Sequence, residues 1–466
     1  MTVTAPDRGR ESIPSTTAPD HSPDVELVPR PPTSPRIGRH PWLQILSTFI
    51  VFMNTWQVYL AMADSLPPSP PANRLPSRGF LLTSGAFQAY YELSLIPGQS
   101  SSDTSWISTT SAFLVFAVGI VAGPLYDRGF YKPLLVTGSL LQVFGFMMLS
   151  ISTQYYQLFL SQAVCIGLGS GLVFTPSVSA AAACLPNPAT RAKAMGLMAC
   201  GSCVGGIIFP TMFRALVPRI GFPWTVRSIG FLILVLYLVS HLVLFDGRRK
   251  ASRAPVIRRF FDTSSFTDLP FMLLSVASVF SATAFYIPLL YLPLFTKVRV
   301  PSISPDLTVD LLSILNGSSV IGRLAAGLAG AVFGPTETIA VSLVAGSTLL
   351  FCWIAVDTVA GTVVWTVFWG MISGILVTLP GAFIPLFCPS VAVIGSRTGT
   401  YWSWVGLGML IGSPIGGAIY DVKSARSGYW RLQVFAGVFM MAAALLTVYP
   451  ILHLRRGRGT ASVRSD

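Results

Sequence analysis

The sequence predicts an all-α membrane protein with twelve transmembrane helices, arranged as two six-helix, pseudo-symmetric halves. Of its 466 residues, 52% are hydrophobic and only 11% are charged, whereas soluble proteins carry about 25% charged residues. Apolar segments of about 20 residues, long enough to cross a bilayer, recur along the chain. Sequence patterns in the first six segments return in the last six, which indicates an internal repeat.

The predicted spans cover residues 42–63, 106–126, 133–152, 157–185, 194–217, 226–245, 270–296, 308–333, 337–356, 361–387, 398–420 and 431–453. Residues 1–41 are rich in Pro, Ser, Thr and charge and lack an apolar core, so we expect a disordered tail. A basic linker, 247–268, separates the amino-terminal half, 42–246, from the carboxyl-terminal half, 269–453. Residues 454–466 form a second predicted tail.

Charges outside the spans predict which side of the membrane each loop occupies. The side assigned to both tails and the linker carries more than twice as many Lys and Arg residues as the opposite loops. By the positive-inside rule, both termini are predicted to be cytoplasmic in a multi-pass protein of the plasma membrane. The basic run of the linker suits a topology anchor better than a lipid- or partner-binding patch. No basic segment is interleaved with aromatic residues, so nucleic-acid binding is not expected.

The internal repeat is visible in two pairs of segments. Residues 200–207 and 411–418 both contain GSxxGG, and residues 171–176 resemble residues 374–380. Members of each pair lie six spans apart, and parallel repeats place a substrate site between the halves. Glycines four residues apart permit close helix packing. The predicted packing glycines are Gly201, Gly205, Gly206, Gly412, Gly416 and Gly417.

Arg323 is the most informative single residue, because it lies midway along predicted span 8. No charged residue occurs from Leu311 to Gly322 or from Leu324 to Thr336. A charge at the bilayer centre costs about 2.5–3.5 kcal/mol on insertion scales and marks a functional site by default. The alternative is a structural arginine that pairs with backbone or with a neighbouring helix.

Asn316, Ser319 and Arg323 recur at helical spacing and form a polar stripe that continues to Gly327. Such a stripe faces protein or a wet cavity rather than lipid. A guanidinium binds a carboxylate through a planar, bidentate fork. No predicted span holds a central Asp or Glu, so we predict that these three polar residues bind a small-molecule organic anion.

Two further groups are candidates for substrate binding, proton coupling or gating. Gln88 is a candidate substrate-binding residue, and Tyr90 and Tyr91 would bind substrate along the pathway or belong to an aromatic belt. Glu92 would carry a coupling proton or serve as an ordinary interfacial acid. The turn after span 2 contains Asp127 and Arg128. A short Asp-Arg turn between helices suits a latch that holds one gate shut through charges and helix ends.

The remaining reactive residues predict no enzyme, metal or cofactor. Cys200 and Cys203 form a CxxC pattern, but it lies in a Gly- and Ser-rich span, where small-residue packing is the favoured reading. The four histidines, at positions 21, 40, 241 and 453, are far apart in sequence. A membrane enzyme would need such groups clustered near one face.

Together these motifs resemble the major facilitator superfamily, and more narrowly the fungal branch of its monocarboxylate transporter family. The Gly123–Gly129 turn looks like the superfamily's signature between spans 2 and 3. The narrower resemblance is carried by Gly85–Glu92, Arg191–Gly196 with Gly201–Gly206, Asn316–Gly327 and Gly416–Asp421. It implies the major facilitator fold, a monomeric carrier, and a role for Arg323 in binding the substrate carboxylate.

The chain also departs from that family. Ser319 stands where animal members have an aspartate, and Phe80–Leu95 contains no counterpart of the lysine that they use in span 1. Because this proton-coupling pair is missing, export of an acidic metabolite from a fungal biosynthetic pathway is favoured. The alternatives are a proton-coupled monocarboxylate or vitamin importer, or a non-transporting nutrient sensor. About 22 residues, Gln57–Arg78, interrupt span 1 and include five prolines. Irregular backbone exposed to lipid is not tolerated, and we hypothesise a retained intron or a gene-model error.

Overall fold

The computed structural model describes residues 1–2, 41–63, 95, 101–245, 262–419 and 425–463. Helices are the regular secondary structure of these residues, which contain no β-strand. Most of the predicted first tail, residues 64–78 of the predicted insertion, and residues 246–261 at the predicted linker lie outside this description.

The described residues of the amino-terminal half form seven α-helices. They are α1 (Pro41–Ala63), α2 (Ser101–Ala117), α3 (Gly119–Asp127), α4 (Tyr131–Leu149), α5 (Tyr155–Leu158), α6 (Gly167–Cys184) and α7 (Pro188–Phe245). Helices α2 and α3 make up span 2, and a π-helical segment, Phe159–Ile166, joins α5 to α6 within span 4. Helix α7 holds spans 5 and 6, separated by a bend at Gly221, whose φ of 75° is a conformation that favours glycine.

The described residues of the carboxyl-terminal half form another seven. They are α8 (Leu269–Arg299), α9 (Pro305–Val332), α10 (Pro335–Cys352), α11 (Val359–Thr378), α12 (Pro380–Phe383), α13 (Ile394–Ile419) and α14 (Ala425–Val463). Helices α11 and α12 belong to span 10, and α14 continues ten residues beyond the predicted end of span 12 at residue 453.

Helices occupy all twelve predicted span positions. Among the described residues, nine helical segments are long and apolar enough to cross a membrane, and one of them, Pro188–Leu242, covers two predicted spans. Helices α1 and α13 occupy the two remaining positions. The prediction of an all-α membrane fold is confirmed.

Local sequence explains where individual helices begin. The Ser304 hydroxyl accepts a hydrogen bond from the Leu307 amide at 3.2 Å, and Pro305 occupies the first turn of α9. The Thr358 hydroxyl caps α11 in the same way, through the Gly361 amide at 3.1 Å. Hydroxyl side chains at this position satisfy amides that have no partner within the helix.

The two halves repeat the same helix pairing. A Cβ atom on Gly201 would overlap the Phe49 carbonyl oxygen of α1, and a Cβ atom on Gly412 would lie 3.1 Å from the Thr283 carbonyl oxygen of α8. The first glycine of each GSxxGG segment therefore packs against the first span of its own half. The other predicted packing glycines lie in the same two helices: Gly205 is buried, Gly206 is half-buried, Gly416 lies against the Tyr291 ring, and Gly417 belongs to α13.

Two seams join the halves through direct backbone contact. In the first, between α3 and α13, a Cβ atom on Gly399 would overlap the Gly119 carbonyl oxygen. In the second, between α7 and α9, a Cβ atom on Gly196 would lie 2.6 Å from the Arg323 carbonyl oxygen. Both seams lie toward the end of the bundle that holds the Asp127–Tyr131 turn and the starts of α7 and α13, which we call the basic end.

The close approach of α9 to α11 gives a matched test of this packing. A Cβ atom on Gly322 would overlap the Met371 carbonyl oxygen, whereas one on Gly317, in the same helix, has nothing within 4 Å. We expect Gly322→Ala to lower the free energy of unfolding by about 1–3 kcal/mol through overpacking. Gly317→Ala should be neutral or stabilise the helix by about 0.5–1 kcal/mol. Melting temperatures of the two purified variants measure the difference, and equal values would contradict the described packing.

Candidate functional site

Arg323 lies in the seam between α7 and α9, at the boundary of the two halves. Its side chain is 3% exposed. Its Nη1 donates a hydrogen bond to the Ala199 carbonyl oxygen at 2.6 Å and another to the Ser202 hydroxyl. Its Nε has no hydrogen-bond partner among the described residues. The guanidinium is therefore held by uncharged groups of the neighbouring half and keeps an unused donor.

The buried position of Arg323 follows from small residues on two neighbouring helices. Gly196 on α7 and Gly374 on α11 allow the backbone of α9 to approach both helices. A Cβ atom on Gly374 would lie 3.0 Å from the Arg323 amide nitrogen. This close fit leaves the long arginine side chain within the protein rather than in lipid.

The CxxC pair of α7 faces the same stripe of α9. The Cys203 thiol lies 3.7 Å from the Ser319 hydroxyl, and the Cys200 thiol donates to the Gly196 carbonyl oxygen of its own helix at 3.2 Å. No group of three or more His, Cys, Asp or Glu residues in the described part of the chain could hold a metal ion.

The structure brings together only part of the predicted anion site. Ser319 is buried, and Gly327 lies against the backbone of Ala192. Asn316 is half-buried and donates a hydrogen bond to the Leu312 carbonyl oxygen, one turn back in its own helix, at 3.1 Å. The other predicted substrate and proton-coupling residues, Gln88, Tyr90, Tyr91 and Glu92, lie outside the described residues.

Asp127 connects the halves at the basic end. Its Oδ1 accepts a hydrogen bond from the Gly395 amide at 2.8 Å, and its Oδ2 accepts two from the Ser396 amide and hydroxyl, both at 2.7 Å. These amides are at the amino terminus of α13, where unsatisfied donors and the helix dipole favour a negative charge. The neighbouring Arg128 is exposed. Asp127, the negative member of the Asp-Arg turn, therefore bridges the halves.

Two buried arginines add to the basic end, and sequence reasoning did not single them out as functional. Arg191 Nε donates to the Ala382 carbonyl oxygen at 3.1 Å, which joins α7 to α12 across the halves. Arg397, in the first turn of α13, pairs with Asp262 at 3.2 Å and Asp268 at 2.5 Å. In the sequence each is a basic residue at the start of an apolar span. The positive-inside rule already accounts for such a residue, so it does not by itself indicate a function.

An aromatic cluster continues the contact between the halves beside the first seam. Trp402 of α13 stacks on Phe116 of α2 with ring centroids 5.2 Å apart, and it meets Phe174 of α6 edge-on, also at 5.2 Å. Phe52 of α1 lies edge-on to Phe174 at 5.4 Å. Such pairs stabilise beyond the area they bury.

A cavity of about 60 Å³ lies inside the carboxyl-terminal half, lined by residues of α8, α10, α11, α12, α13 and α14. Trp402 and Tyr401 form part of its wall. Arg323 does not line it. The candidate cation and this cavity are therefore separate features of the closed bundle.

Comparisons with known proteins give one consistent family. The profile of the Major Facilitator Superfamily matches residues 45–394. The MFS-type transporter dbaD of Emericella nidulans is 34% identical over 407 residues, which cover 87% of this chain and 84% of that protein. The Fujikurins efflux protein of Gibberella fujikuroi is 33% identical over 374 residues, which cover 79% of this chain and 78% of that protein.

Solved structures agree at the level of the fold. The transporter FucP in its outward conformation superposes with a TM-score of 0.62 at 14% identity, covering 88% of this chain and 98% of FucP. The human organic anion transporter MFSD10 superposes with a TM-score of 0.60 at 11% identity, covering 89% of this chain and 100% of that chain.

The Asp127 contact can be tested through Cys388, which lies just beyond span 10. Burial raises the pKa of the Cys388 thiol to about 12; the carboxylates of Asp127 and Asp262 act in the same direction, and the guanidinium groups of Arg397 and Arg191 act against it. At pH 8 this thiol is protonated and should react slowly with N-ethylmaleimide, because the thiolate is the nucleophile. In a variant that retains only Cys388, we expect Asp127→Asn to open the basic end and to speed labelling at least about tenfold as the thiol pKa falls toward its ordinary value.

The matched control is Asp357→Asn. Asp357 is an exposed carboxylate in the turn before α11, at the opposite end of span 10 from Cys388. The substitution should leave the labelling rate unchanged. If Asp127→Asn labels no faster than this control, the Asp127 contact does not hold the basic end closed.

Proposed function

Because the chain belongs to the major facilitator superfamily, we propose that it is a secondary transporter that exports a small organic acid of a fungal biosynthetic pathway by alternating access. Its relatives are MFS-type transporters and not enzymes, and membership of the family supports a multi-pass membrane protein. Among its relatives, a Fujikurins efflux protein and an Aspyridones efflux protein carry the word efflux in their names. That direction of transport is the one we transfer to this chain.

The buried guanidinium of Arg323 is the single observation on which the choice of an acid rests. A desolvated charge is costly unless an opposite charge compensates for it. Within the described residues no carboxylate pairs with Arg323, and its contacts are a carbonyl oxygen and a hydroxyl. A substrate carboxylate would supply the missing charge through a bidentate contact once the α7–α9 seam opens.

The alternating-access cycle uses the contacts of the basic end. Asp127, Arg191 and the glycine seams hold the halves together there in the closed arrangement. We propose that this end faces the cytoplasm at the plasma membrane, as the distribution of Lys and Arg favours. When these contacts break, the acid would enter the binding site from the cytoplasm. When they form again, the acid could leave only on the opposite side of the membrane.

The resemblance to the fungal branch of the monocarboxylate transporter family gives a narrower assignment of the chain within the superfamily. We propose that the transporter works as a monomer. We favour export over proton-coupled import because Ser319, one turn from Arg323, lies against the Cys203 thiol and supplies no titratable carboxylate. A proton-coupled importer or a nutrient sensor are the competing assignments, and transport measurements separate them.

We expect Arg323→Ala to abolish transport of carboxylates into proteoliposomes while the protein still inserts and folds. Loss of one partner of a buried charged contact costs about 2–5 kcal/mol, or at least about 30-fold in rate. Arg323→Lys should rescue poorly, because an ammonium lacks the planar fork. Arg455→Ala is the control, since Arg455 is an exposed arginine that pairs with Glu337. Full activity of Arg323→Ala on a carboxylate would reject the proposed site.

Export can be tested separately by deleting the gene and profiling metabolites inside and outside the cells. We expect an acidic metabolite to accumulate inside and to fall outside, because the carrier that releases it is missing. Restoration of the gene should reverse both changes, and restoration with Arg323→Ala should not. An acid that instead stays outside after deletion would identify an importer, and wild-type protein that carries no solute would favour a sensor.

A further inference from the structure

Two thiols lie beside the guanidinium of Arg323, and the proposed transport cycle does not use them. Arg323 Nη1 donates hydrogen bonds to the Ala199 carbonyl oxygen and the Ser202 hydroxyl. Cys200 and Cys203 directly follow these two residues in α7. The guanidinium interacts electrostatically with both thiols. A cation and a nucleophile therefore share one site in the seam between α7 and α9.

Of the two thiols, Cys203 is the one that faces the other half. Its sulfur lies 3.7 Å from the Ser319 hydroxyl of α9, and its side chain is fully buried. The Cys200 thiol instead donates to the Gly196 carbonyl oxygen of its own helix at 3.2 Å. Opening of the α7–α9 seam would separate Cys203 from Ser319 and expose its sulfur, whereas Cys200 would keep its partner.

The closed seam has no room for an added group. A Cβ atom on Gly196 would lie 2.6 Å from the Arg323 carbonyl oxygen, and one on Gly327 would lie 3.1 Å from the Ala192 carbonyl oxygen. Both distances are shorter than the roughly 3.5 Å of an ordinary contact between non-bonded atoms. A substituent of several atoms on Cys203 would therefore keep α7 and α9 apart.

The charge of Arg323 selects the kind of molecule that would reach Cys203. The Arg323 side chain is 3% exposed, and within the described residues its Nε has no hydrogen-bond partner and no carboxylate pairs with it. Such a guanidinium binds carboxylates. The thiolate form of a cysteine is a nucleophile. The two groups together fit a molecule that carries both a carboxylate and an electron-poor carbon–carbon double bond.

We propose that Cys203 is a covalent modification site for anionic Michael acceptors, molecules with a carboxylate and an α,β-unsaturated carbonyl group, which Arg323 draws to the thiol when the α7–α9 seam opens. The inference goes beyond the proposed function and rests on it for the opening of the seam. In the reaction the thiol loses its proton to water, and the sulfur forms a bond to the β-carbon. The carbon–carbon π bond breaks, and its electron pair moves to the α-carbon, which takes a proton from water. The adduct would hold the seam open and stop the transport cycle.

The first experiment measures whether the cation guides the reagent. 3-Maleimidopropionate is compared with its uncharged methyl ester on a variant that retains Cys203 as its only cysteine and carries Asp127→Asn to open the basic end. The ratio of the two labelling rates, followed by mass spectrometry, cancels differences in thiol reactivity. We expect this acid-to-ester ratio to exceed the ratio for the neutral thiol N-acetylcysteinamide at least about tenfold, because a cationic cleft concentrates anions.

Substitutions of Arg323 show whether its charge is the cause. Arg323→Gln should lower the ratio to that of N-acetylcysteinamide, whereas Arg323→Lys should keep part of the excess. Arg455→Gln is the matched control, because Arg455 is an exposed arginine, and it should leave the ratio unchanged. The proposal is overturned if Cys203 is not labelled, if its ratio equals that of N-acetylcysteinamide, or if the excess persists in Arg323→Gln.

A second experiment tests whether the adduct holds the seam open. A variant that retains Asp127 and only Cys203 and Cys388 is treated with 3-maleimidopropionate until Cys203 is modified, and Cys388 is then labelled with iodoacetamide. Labelling of Cys388 should become at least about tenfold faster, because its burial is relieved and more of it is thiolate. A control that retains only Cys388 should not respond to the same treatment. Absence of modification at Cys203, or an unchanged Cys388 rate after it, overturns the proposed arrest of the seam.

Neither experiment measures transport, so their outcomes are separate from that of the proposed function. Protein that carries no carboxylate but labels Cys203 with the expected ratio overturns the proposed function and supports the modification site. Protein that carries carboxylates through Arg323 but does not label at Cys203 overturns the modification site alone.

Discussion

Direct contact between helix backbones at two seams is the constraint on which this bundle depends. Gly119 and Gly399 meet in one seam, and Gly196 meets the backbone of Arg323 in the other. Helices in a membrane gain little from hydrophobic association and rely instead on close packing and hydrogen bonds. Because these contacts use main-chain atoms, any side chain introduced there forces the halves apart. Asp127 and Arg191 form their hydrogen bonds between the halves because the glycines allow the helices to come this close.

The two halves contribute different chemistry to the interface. The amino-terminal half supplies the Ala199 carbonyl and the Ser202 hydroxyl that hold Arg323, whereas the carboxyl-terminal half supplies Arg323 itself and the apolar cavity. A cation held by neutral groups is stable enough to be retained and remains able to accept an anion. This balance suits a carrier, which must bind its cargo and also release it.

Much of the fold was predictable because the signals are local. Hydropathy placed all twelve spans, and the GSxxGG repeat anticipated that Gly201 and Gly412 pack in the same way. The isolated charge of Arg323 indicated its burial. Its partners were not predictable, since Ala199 and Ser202 meet it only when a particular face of α7 turns toward α9. The cavity was equally hidden, because Leu343 and Thr447, two of its lining residues, lie about a hundred positions apart.

Arg397 binds Asp262 and Asp268, so these ion pairs fasten the described end of the linker to the carboxyl-terminal half. Each half contributes one helix to each seam: α3 meets α13, and α7 meets α9. The repeated GSxxGG packing suits an origin of the two halves by duplication of a six-helix unit.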